Sequence, residues 1–315
     1  MGRVSKIKKK QKQAKKILSI FVILIALAIS LVAYLNPGLF ESEPTDEPPA
    51  TDAGTVEETG ELRVHVIDVG QGDSILITAP GGNVLFDAGD LAERHEQAIK
   101  NYLTDLGITT IDYFIITHPD ADHIGGADMV LREFTVKNVI MSSATSTSKA
   151  FETLLDALEN SSADVIEAVS GETYTLGDLQ LKILAPLKKY SDSNDMSVVV
   201  RATFGQVSMM FTGDAEGNQE GKSEKDMLAT YTTAELDCDF LKVGHHGSDT
   251  STSIAFLKAV SPNIAAISVG EGNKYGHPMQ SVLDSLNANG VVTYRTDLSG
   301  TLVFICDGKT IEYKK

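Results

Sequence analysis

The hydrophobic pattern divides the chain at about residue 62. Before that point, a single apolar run over residues 17–35 lies between a basic and an acidic segment. After it, short apolar runs alternate with polar turns and with stretches of helical spacing, which is typical of a globular α/β domain. We therefore expect one structured domain over residues 62–315, about 254 residues long and able to bury a large core.

Period-two runs open this domain and predict an antiparallel meander of three strands over residues 62–69, 74–78 and 83–86. Further strands are predicted over 112–116, 138–141, 179–184, 197–204, 207–211, 239–243, 264–269, 291–294, 301–306 and 310–313. Helices are predicted over 93–106, 127–133, 151–159, 253–260 and 279–287. Two β-rich halves with helices between them indicate two packed sheets covered by helices, a four-layered αββα sandwich.

The first 35 residues have the pattern of a membrane anchor. Residues 1–16 carry eight Lys or Arg and no acid, and residues 17–35 are uncharged and almost wholly apolar. Nineteen helical residues at about 1.5 Å each approach the ~30 Å of bilayer hydrocarbon. The basic flank predicts a cytoplasmic amino end, a single-pass transmembrane helix and an extracellular carboxyl-terminal domain. The alternative is a cleaved signal peptide, which would make the domain a secreted one.

Charge narrows the class of partner. Residues 36–61 hold four prolines, eight acids and no base, which predicts an extended acidic linker. The whole chain has 27 basic and 43 acidic residues, and 19 and 35 of these fall in residues 62–315. A duplex-binding protein normally presents a basic stripe, so we expect no tight binding to duplex nucleic acid. The two cysteines, Cys238 and Cys306, could pair or remain free thiols.

The strongest chemical signal follows the predicted strand at 112–116. Two imidazoles and two carboxylates, those of His118, Asp120, Asp122 and His123, occupy six consecutive positions. A loop after a strand can turn such side chains toward one point, where they would bind a divalent cation. The alternative is a polar loop with satisfied histidines, but further clusters of the same chemistry favour a metal site.

Four more segments end predicted strands or lie in Gly/Pro loops. Asp87 could support a metal ligand by hydrogen bonding, or form a turn. Asp214 follows a glycine after an apolar strand and could bridge two cations, or cap a helix. The adjacent pair His245 and His246 predicts at least one ligand or acid–base group. His277 could face a substrate or simply lie at the surface.

These residues carry a resemblance to a known family. The loop from His118 to His123 resembles the signature of the metallo-β-lactamase superfamily, and the whole series is similar to the extracellular hydrolase domain of the ComEC/Rec2 competence proteins. The similar stretches lie, in the family's order, at residues 69–74, 87–89, 118–123, 194–197, 213–214, 245–248 and 275–278.

The resemblance implies a four-layered αββα fold and a site with one or two divalent cations, zinc or manganese. The implied metal ligands are His118, Asp120, Asp122, His123, Asp214 and His245, with His246 as the alternative to His245. The implied supporting groups are Asp73, Asp87, Asn194 and Ser197.

The chain departs from the superfamily pattern in two ways. Asp120 stands where the widespread loop has histidine, and Asn194, Asp195 and Ser197 stand where a third-motif histidine is usual. Both changes weaken the first metal position, so we expect one full site and one weak site. An oxygen-richer shell also shifts the preference from zinc toward manganese or magnesium.

We expect a metal-dependent hydrolase. A bound cation lowers the pKa of a water to near ~7. Asp122 would orient that water, and His246 or His277 would protonate the leaving group. The substrate implied by the resemblance is a phosphodiester, which predicts a phosphodiesterase or nuclease. The alternatives are a hydrolase of small esters or lactones and a surface binding module whose metal has no catalytic role.

Overall fold

The computed structural model describes residues 60–314, and these form two β-sheets that pack face to face. The predicted basic tail and membrane span lie outside the described residues, as does all of the predicted linker except residues 60–61. Within residues 60–314, no helix has the length and hydropathy needed to cross a membrane.

The first sheet contains eight strands. In spatial order they are β15 (Ile311–Lys314), β14 (Leu302–Cys306), β1 (Leu62–Val66), β2 (Ile75–Ala79), β3 (Gly82–Phe86), β4 (Thr110–Ile116), β5 (Thr135–Met141) and β6 (Asp164–Glu167). Strands β1, β2 and β3 form the predicted antiparallel meander, and β3 to β6 run parallel.

The second sheet contains seven strands. In spatial order they are β13 (Val292–Arg295), β12 (Ile264–Ile267), β11 (Phe240–Lys242), β10 (Val207–Phe211), β9 (Val199–Phe204), β8 (Leu179–Ala185) and β7 (Thr173–Leu176). Strands β10 to β13 run parallel, so each sheet has one parallel half.

Helices cover the outer face of each sheet. In chain order they are α1 (Glu93–Asp105), α2 (Ala121–Ile124), α3 (Ala127–Glu133), α4 (Lys149–Asn160), α5 (Ser223–Thr230), α6 (Thr233–Leu236), α7 (Ile254–Val260), α8 (Gln280–Ala288) and α9 (Thr296–Ser299). Helices α4 and α7 begin after serine caps. The side chains of Ser148 and Ser253 accept the N–H groups of Phe151 and Phe256.

Three buried clusters establish four layers. One lies between the sheets and includes Phe86 and Phe211, whose rings stack with centroids 4.6 Å apart. The second joins the first sheet to α1, α3 and α4, and the third joins the second sheet to α5 through α8. The predicted αββα sandwich is therefore confirmed for residues 60–314. Cys238 and Cys306 are buried free thiols.

The structure also corrects several predicted boundaries. The strands at 62–69, 197–204 and 239–243 are shorter, with observed bounds Leu62–Val66, Val199–Phe204 and Phe240–Lys242. Strands β6 and β7 and helices α5 and α6 were not predicted. These elements are weakly patterned: β6 has three exposed residues of four, and α5 has only a slight apolar face.

Candidate metal centre

The candidate site lies at one edge of the sandwich, where the parallel strands of both sheets end. Asp87 directly follows β3. His118, Asp214 and His246 lie two, three and four residues beyond the ends of β4, β10 and β11. Because the carboxyl ends of parallel strands meet at one edge, residues far apart in sequence come together there.

The predicted metal loop folds partly as a helix. Helix α2 begins after Asp120, whose carbonyl oxygen accepts the N–H groups of His123 and Ile124 at 3.0 and 3.1 Å. The turn buries His123 completely and leaves the side chain of Asp120 at 43% exposure. His118, ahead of the turn, is also buried. The loop therefore presents two imidazoles from the protein interior and two partly exposed carboxylates, those of Asp120 and Asp122.

Asp214 is the centre of the cluster. Its Oδ2 lies 3.3 Å from His123 Nε2, 3.7 Å from His246 Nε2 and 3.9 Å from His118 Nε2. Asp120 Oδ2 lies 3.8 Å from His118 Nε2 on the solvent side. His245 Nε2 lies 3.7 Å from the same Asp214 oxygen. A single carboxylate thus reaches four imidazole nitrogens, as a group shared by two neighbouring cations would.

Asp122 and His246 complete a second grouping. Asp122 Oδ2 lies 3.4 Å from His246 Nε2. Among residues 60–314, five sets of three potential ligand atoms each fall within 4.8 Å of one another. Two of these sets hold the predicted metal ligands: Asp122, His123 and His246 form one, and His118, His123 and Asp214 form the other. With Asp214 added, the first set offers four possible ligands to one cation. A second cation beside His118 would depend on Asp120, whose side chain is 43% exposed.

The donor atoms fit a divalent cation. Within residues 60–314, the buried Nε2 atoms of His118, His123 and His246 and the buried Oδ1 of Asp214 have no hydrogen-bond partner. Buried polar atoms are normally satisfied, so four unsatisfied atoms at one point indicate a missing partner. Imidazole nitrogens and carboxylate oxygens are the ligands that zinc and manganese accept.

Asp87 orients His123. Its Oδ2 accepts the Nδ1–H of His123 at 2.8 Å, which leaves the Nε2 of that ring free to face Asp214. The same carboxylate accepts the backbone N–H of Thr117 at 2.8 Å and its hydroxyl at 2.7 Å. Asp87 has φ +52, a left-handed conformation that non-glycine residues adopt at a cost, and such strain concentrates at functional sites.

Asp73 supports the opposite side of the cluster. His246 donates its Nδ1–H to the carbonyl of Ser268 at 3.0 Å, and Asp73 Oδ1 lies 3.3 Å from the same nitrogen. The other Asp73 oxygen accepts a hydrogen bond from Lys242 Nζ at 2.7 Å. This buried lysine balances the charge of a carboxylate that is itself buried.

Ser197 links the two sheets at the edge of the cluster. Its hydroxyl accepts the N–H of Asp214 at 3.0 Å and lies 3.4 Å from His118 Nδ1, so it positions one residue of each sheet. Gly213 makes this approach possible: it has φ +51, and a Cβ there would lie 2.9 Å from the serine hydroxyl. Asn194 lines the cleft, whereas Asp195 accepts backbone N–H groups of Glu216 and Ser223.

The electrostatics of the cluster follow from this packing. Burial alone would raise the pKa of Asp122, but the neighbouring imidazoles of His246 and His123 lower it to about 2. Burial alone would lower the pKa of His246, but the charges of Asp214 and Asp73 raise it to about 10. Without a cation, protons on these imidazoles therefore balance the carboxylates, and a bound cation would take over that role.

An open cleft of about 180 Å³ leads to the cluster, lined by Gln71, Asp120, Asp122, Asn194, Asp214, His245, His246, Tyr275 and His277. The rings of His245 and His277 meet edge to face, with centroids 5.6 Å apart and an interplanar angle of 76°. Seven of the predicted site residues therefore line one cavity, and the buried His118 and His123 lie against Asp214 behind it.

The adjacent histidines differ in placement. His245 and His246 have φ +48 and φ +54, so the chain turns sharply and separates their side chains. His246 is buried against Asp122, whereas the His245 side chain is 24% exposed and its Nδ1 lies 3.1 Å from Thr250 Oγ1. The sequence analysis assigned metal binding first to His245 and acid–base chemistry to His246. Both rings reach Asp214, since the Nε2 atoms of His245 and His246 each lie 3.7 Å from Asp214 Oδ2. His246 Nε2 also belongs to the ligand set with Asp122 and His123.

Sequence reasoning missed Lys242, Thr117 and Tyr275. Lys242 had one available signal, since a charged residue in an apolar strand is rarely buried without a partner. Thr117 directly precedes the predicted metal loop, but its bond to Asp87 joins residues 30 apart. Tyr275 lies in the stretch 275–278 with His277 and was assigned no role of its own.

Comparisons with known proteins agree with this architecture. Residues 67–271 match the metallo-beta-lactamase superfamily. ComE operon protein 3 of Bacillus subtilis (strain 168) is 33% identical over 263 residues, which cover 78% of this chain and 33% of that protein. Competence protein ComA of Neisseria gonorrhoeae is 31% identical over 245 residues, 78% of this chain and 32% of that protein.

The chain thus spans about a third of the length of these relatives. Among solved structures, the metallo-beta-lactamase fold protein YhfI from Bacillus subtilis superposes with a TM-score of 0.52 at 12% identity. The superposition covers 78% of this chain and 99% of that one, which supports the fold alone. The motifs, the sandwich and these matches agree: the chain belongs to the metallo-β-lactamase superfamily, generally metal-dependent hydrolases, and is homologous to the ComEC/ComA/Rec2 competence proteins.

Proposed function

We propose that this protein is a divalent-metal-dependent phosphodiesterase or nuclease. The observation that carries the proposal is the convergence of three buried, unpartnered imidazole nitrogens on Asp214 at the base of an open cleft. A purely structural histidine cluster would be closed to solvent and satisfied by hydrogen bonds.

The four-donor set would hold the principal cation, through Asp122, His123, His246 and Asp214. His118 and Asp120, sharing Asp214, would hold a second and weaker one. Zinc and manganese both suit nitrogen and oxygen donors, and the carboxylates favour manganese. When bound, the cation supplies Lewis acidity toward a phosphoryl oxygen and an acidified water at neutral pH.

The chain's own residues divide the remaining work. Asp122 is one-third exposed and faces the cleft, so its carboxylate can accept a hydrogen bond from an attacking water and orient it. His277 lies on the other side of the cleft, where it can donate a hydrogen bond to the leaving oxygen. His246, named earlier as an alternative donor, is buried among the proposed ligands and is less suited to that role.

Two arguments favour a phosphodiester in a single strand. The homologous competence proteins and the metal-type donor set together favour phosphodiester chemistry over small esters or lactones. The described domain has a large excess of acidic residues and no basic stripe, which opposes tight binding to a duplex. We further propose that residues 17–35 anchor the chain in the membrane with this domain on the extracellular side, as their sequence predicts.

The test uses the full chain, purified in detergent and stripped of metal with a chelator. Cleavage of bis-p-nitrophenyl phosphate and single-stranded DNA is measured after addition of manganese or zinc. An Asp122→Ala variant is assayed in parallel, with its folding checked by circular dichroism. Cleavage that metal restores and the variant lacks supports the proposal. Hydrolysis of a lactone alone would favour the small-ester alternative, and metal retention without turnover would favour a binding module.

A further inference from the structure

One exposed aromatic ring lies at the rim of the candidate metal centre. Tyr275 lines the same cleft as Asp122 and Asp214, and it is 52% exposed. Among the large exposed apolar side chains of residues 60–314, it is the sole aromatic. An aromatic face open to water beside a reactive centre is a place where a flat ligand gains stability by stacking.

The loop that carries this ring is firmly held. The Asn273 side-chain oxygen accepts the backbone N–H groups of Tyr275 and His277, each at 3.1 Å. The Asn273 amide donates to the carbonyls of Gly270 and His277 at 3.0 and 2.6 Å. Four hydrogen bonds from one side chain therefore fix the position of Tyr275 relative to the cleft.

The surroundings of the ring suit a nucleotide. The His277 ring is nearly parallel to it, with an interplanar angle of 24° and centroids 5.7 Å apart. Lys274 Nζ lies over the Tyr275 ring, 5.0 Å from its centroid, and provides a positive charge there. An aromatic face next to a cation matches a base attached to a phosphate.

We propose that Tyr275 is the stacking platform for the base next to the scissile phosphate, with Lys274 beside the flanking phosphate. This inference rests on the proposed phosphodiesterase function and specifies its substrate class as single-stranded nucleotide material. Base–aromatic stacking tolerates any sequence, because every base has a flat face. The platform therefore selects for the presence of a base and not for its identity.

The neighbouring surface limits how far this recognition extends. Beyond Gln71 the cleft adjoins a hollow of about 610 Å³. Its charged lining consists of four carboxylates and one guanidinium, those of Asp68, Asp90, Glu271, Asp297 and Arg94. Such a lining repels a phosphate chain. We therefore expect one base to be recognised at the site, with little gain in affinity from a longer strand.

The test compares two oligomers of equal charge with the metal-loaded full chain. One is pentathymidylate, and the other has a tetrahydrofuran spacer in place of every nucleoside, so that it has the phosphates but no bases. Values of kcat/KM are measured for the wild type, Tyr275→Ala and Tyr275→Phe. Bound metal is measured for each protein, because the substitution should leave the metal centre intact.

The wild type should prefer the base-bearing oligomer by about 10-fold, the effect expected of one stacked base. Tyr275→Ala should lose this preference, mainly through KM, with bound metal unchanged, and Tyr275→Phe should keep it. Equal cleavage of both oligomers by the wild type would overturn the inference while leaving the phosphodiesterase proposal in place. An equal loss on both oligomers in Tyr275→Ala would also overturn it. Cleavage of neither by the wild type would reject both.

Discussion

Lys242 and Asp73 form a fully buried ion pair, with Lys242 Nζ 2.7 Å from Asp73 Oδ2. The lysine ends β11, in the parallel half of the second sheet, and the aspartate precedes β2 in the first. The pair therefore joins the two sheets directly beneath His246, whose Nδ1 lies 3.3 Å from the other oxygen of Asp73.

Removing the lysine should destabilise the protein strongly. Lys242→Met leaves the carboxylate of Asp73 buried without its partner, and breaking a buried pair in this way costs about 3–5 kcal/mol. The free energy of unfolding, measured by urea denaturation, should fall by that amount. The double variant Lys242→Met/Asp73→Asn should recover part of the loss. A single variant as stable as the wild type would show that the pair is not required.

Asp87 should control metal affinity without binding metal. Asp87→Asn keeps the volume but weakens the hold on His123 Nδ1–H, and substitutions of such supporting groups typically weaken metal binding about 10–100-fold. Competition with a chelating dye would measure this. Asp112→Asn is the matched control, because Asp112 is a buried carboxylate that bonds Asn83 and Lys137 away from the cleft. Equal affinities in the two variants would contradict the assigned role.

The two adjacent histidines should respond differently to substitution. His246→Ala removes a buried member of the four-donor set, so bound metal measured by mass spectrometry should fall sharply. His245→Ala removes a partly exposed ring beside the cleft, so most of the metal should remain. The opposite pattern would restore the assignment made from sequence, in which His245 is the ligand.

Glu224 should make stability depend on pH. Burial raises the pKa of Glu224 from 4.5 to about 7, although backbone N–H groups of Ser253 and Thr252 act to lower it. The folded protein holds this proton more tightly than the unfolded chain does. The contribution is therefore complete below pH 4.5 and is lost as the pH rises toward 7.

The loss corresponds to about 3 kcal/mol, since each pKa unit is worth ~1.4 kcal/mol. Denaturation midpoints of the wild type should decline between pH 5 and pH 8. Those of Glu224→Gln, which cannot ionise, should decline less over the same range. Parallel curves for the two proteins would show that Glu224 does not titrate there.

The sequence predicted the central elements of the fold because their patterns are strong. The meander β1–β3 alternates clearly, and helix α1 ends one residue from its predicted boundary. Strands β6 and β7 were missed because edge strands with few buried positions have little hydrophobic signal.

The site was predictable in composition and less so in geometry. Four of the five segments named from sequence place a residue in one cleft, because strand ends gather at one edge of the sandwich. The fifth, at Asp87, reaches it through the hydrogen bond to His123. The different burial of His245 and His246 was not predictable, since it depends on two left-handed backbone conformations. The bond from Lys242 to Asp73 spans 169 residues and joins different sheets, so no local pattern could reveal it.

The central claim is that the cluster around Asp214 holds the cation that performs the cleavage. Metal content and turnover of bis-p-nitrophenyl phosphate should be measured on the same metal-free preparation as manganese or zinc is added stepwise. We predict that turnover rises in proportion to bound metal and that Asp122→Ala, though folded, shows neither the tight binding nor the turnover. Turnover at full rate in that variant, or in protein free of metal, would contradict the claim.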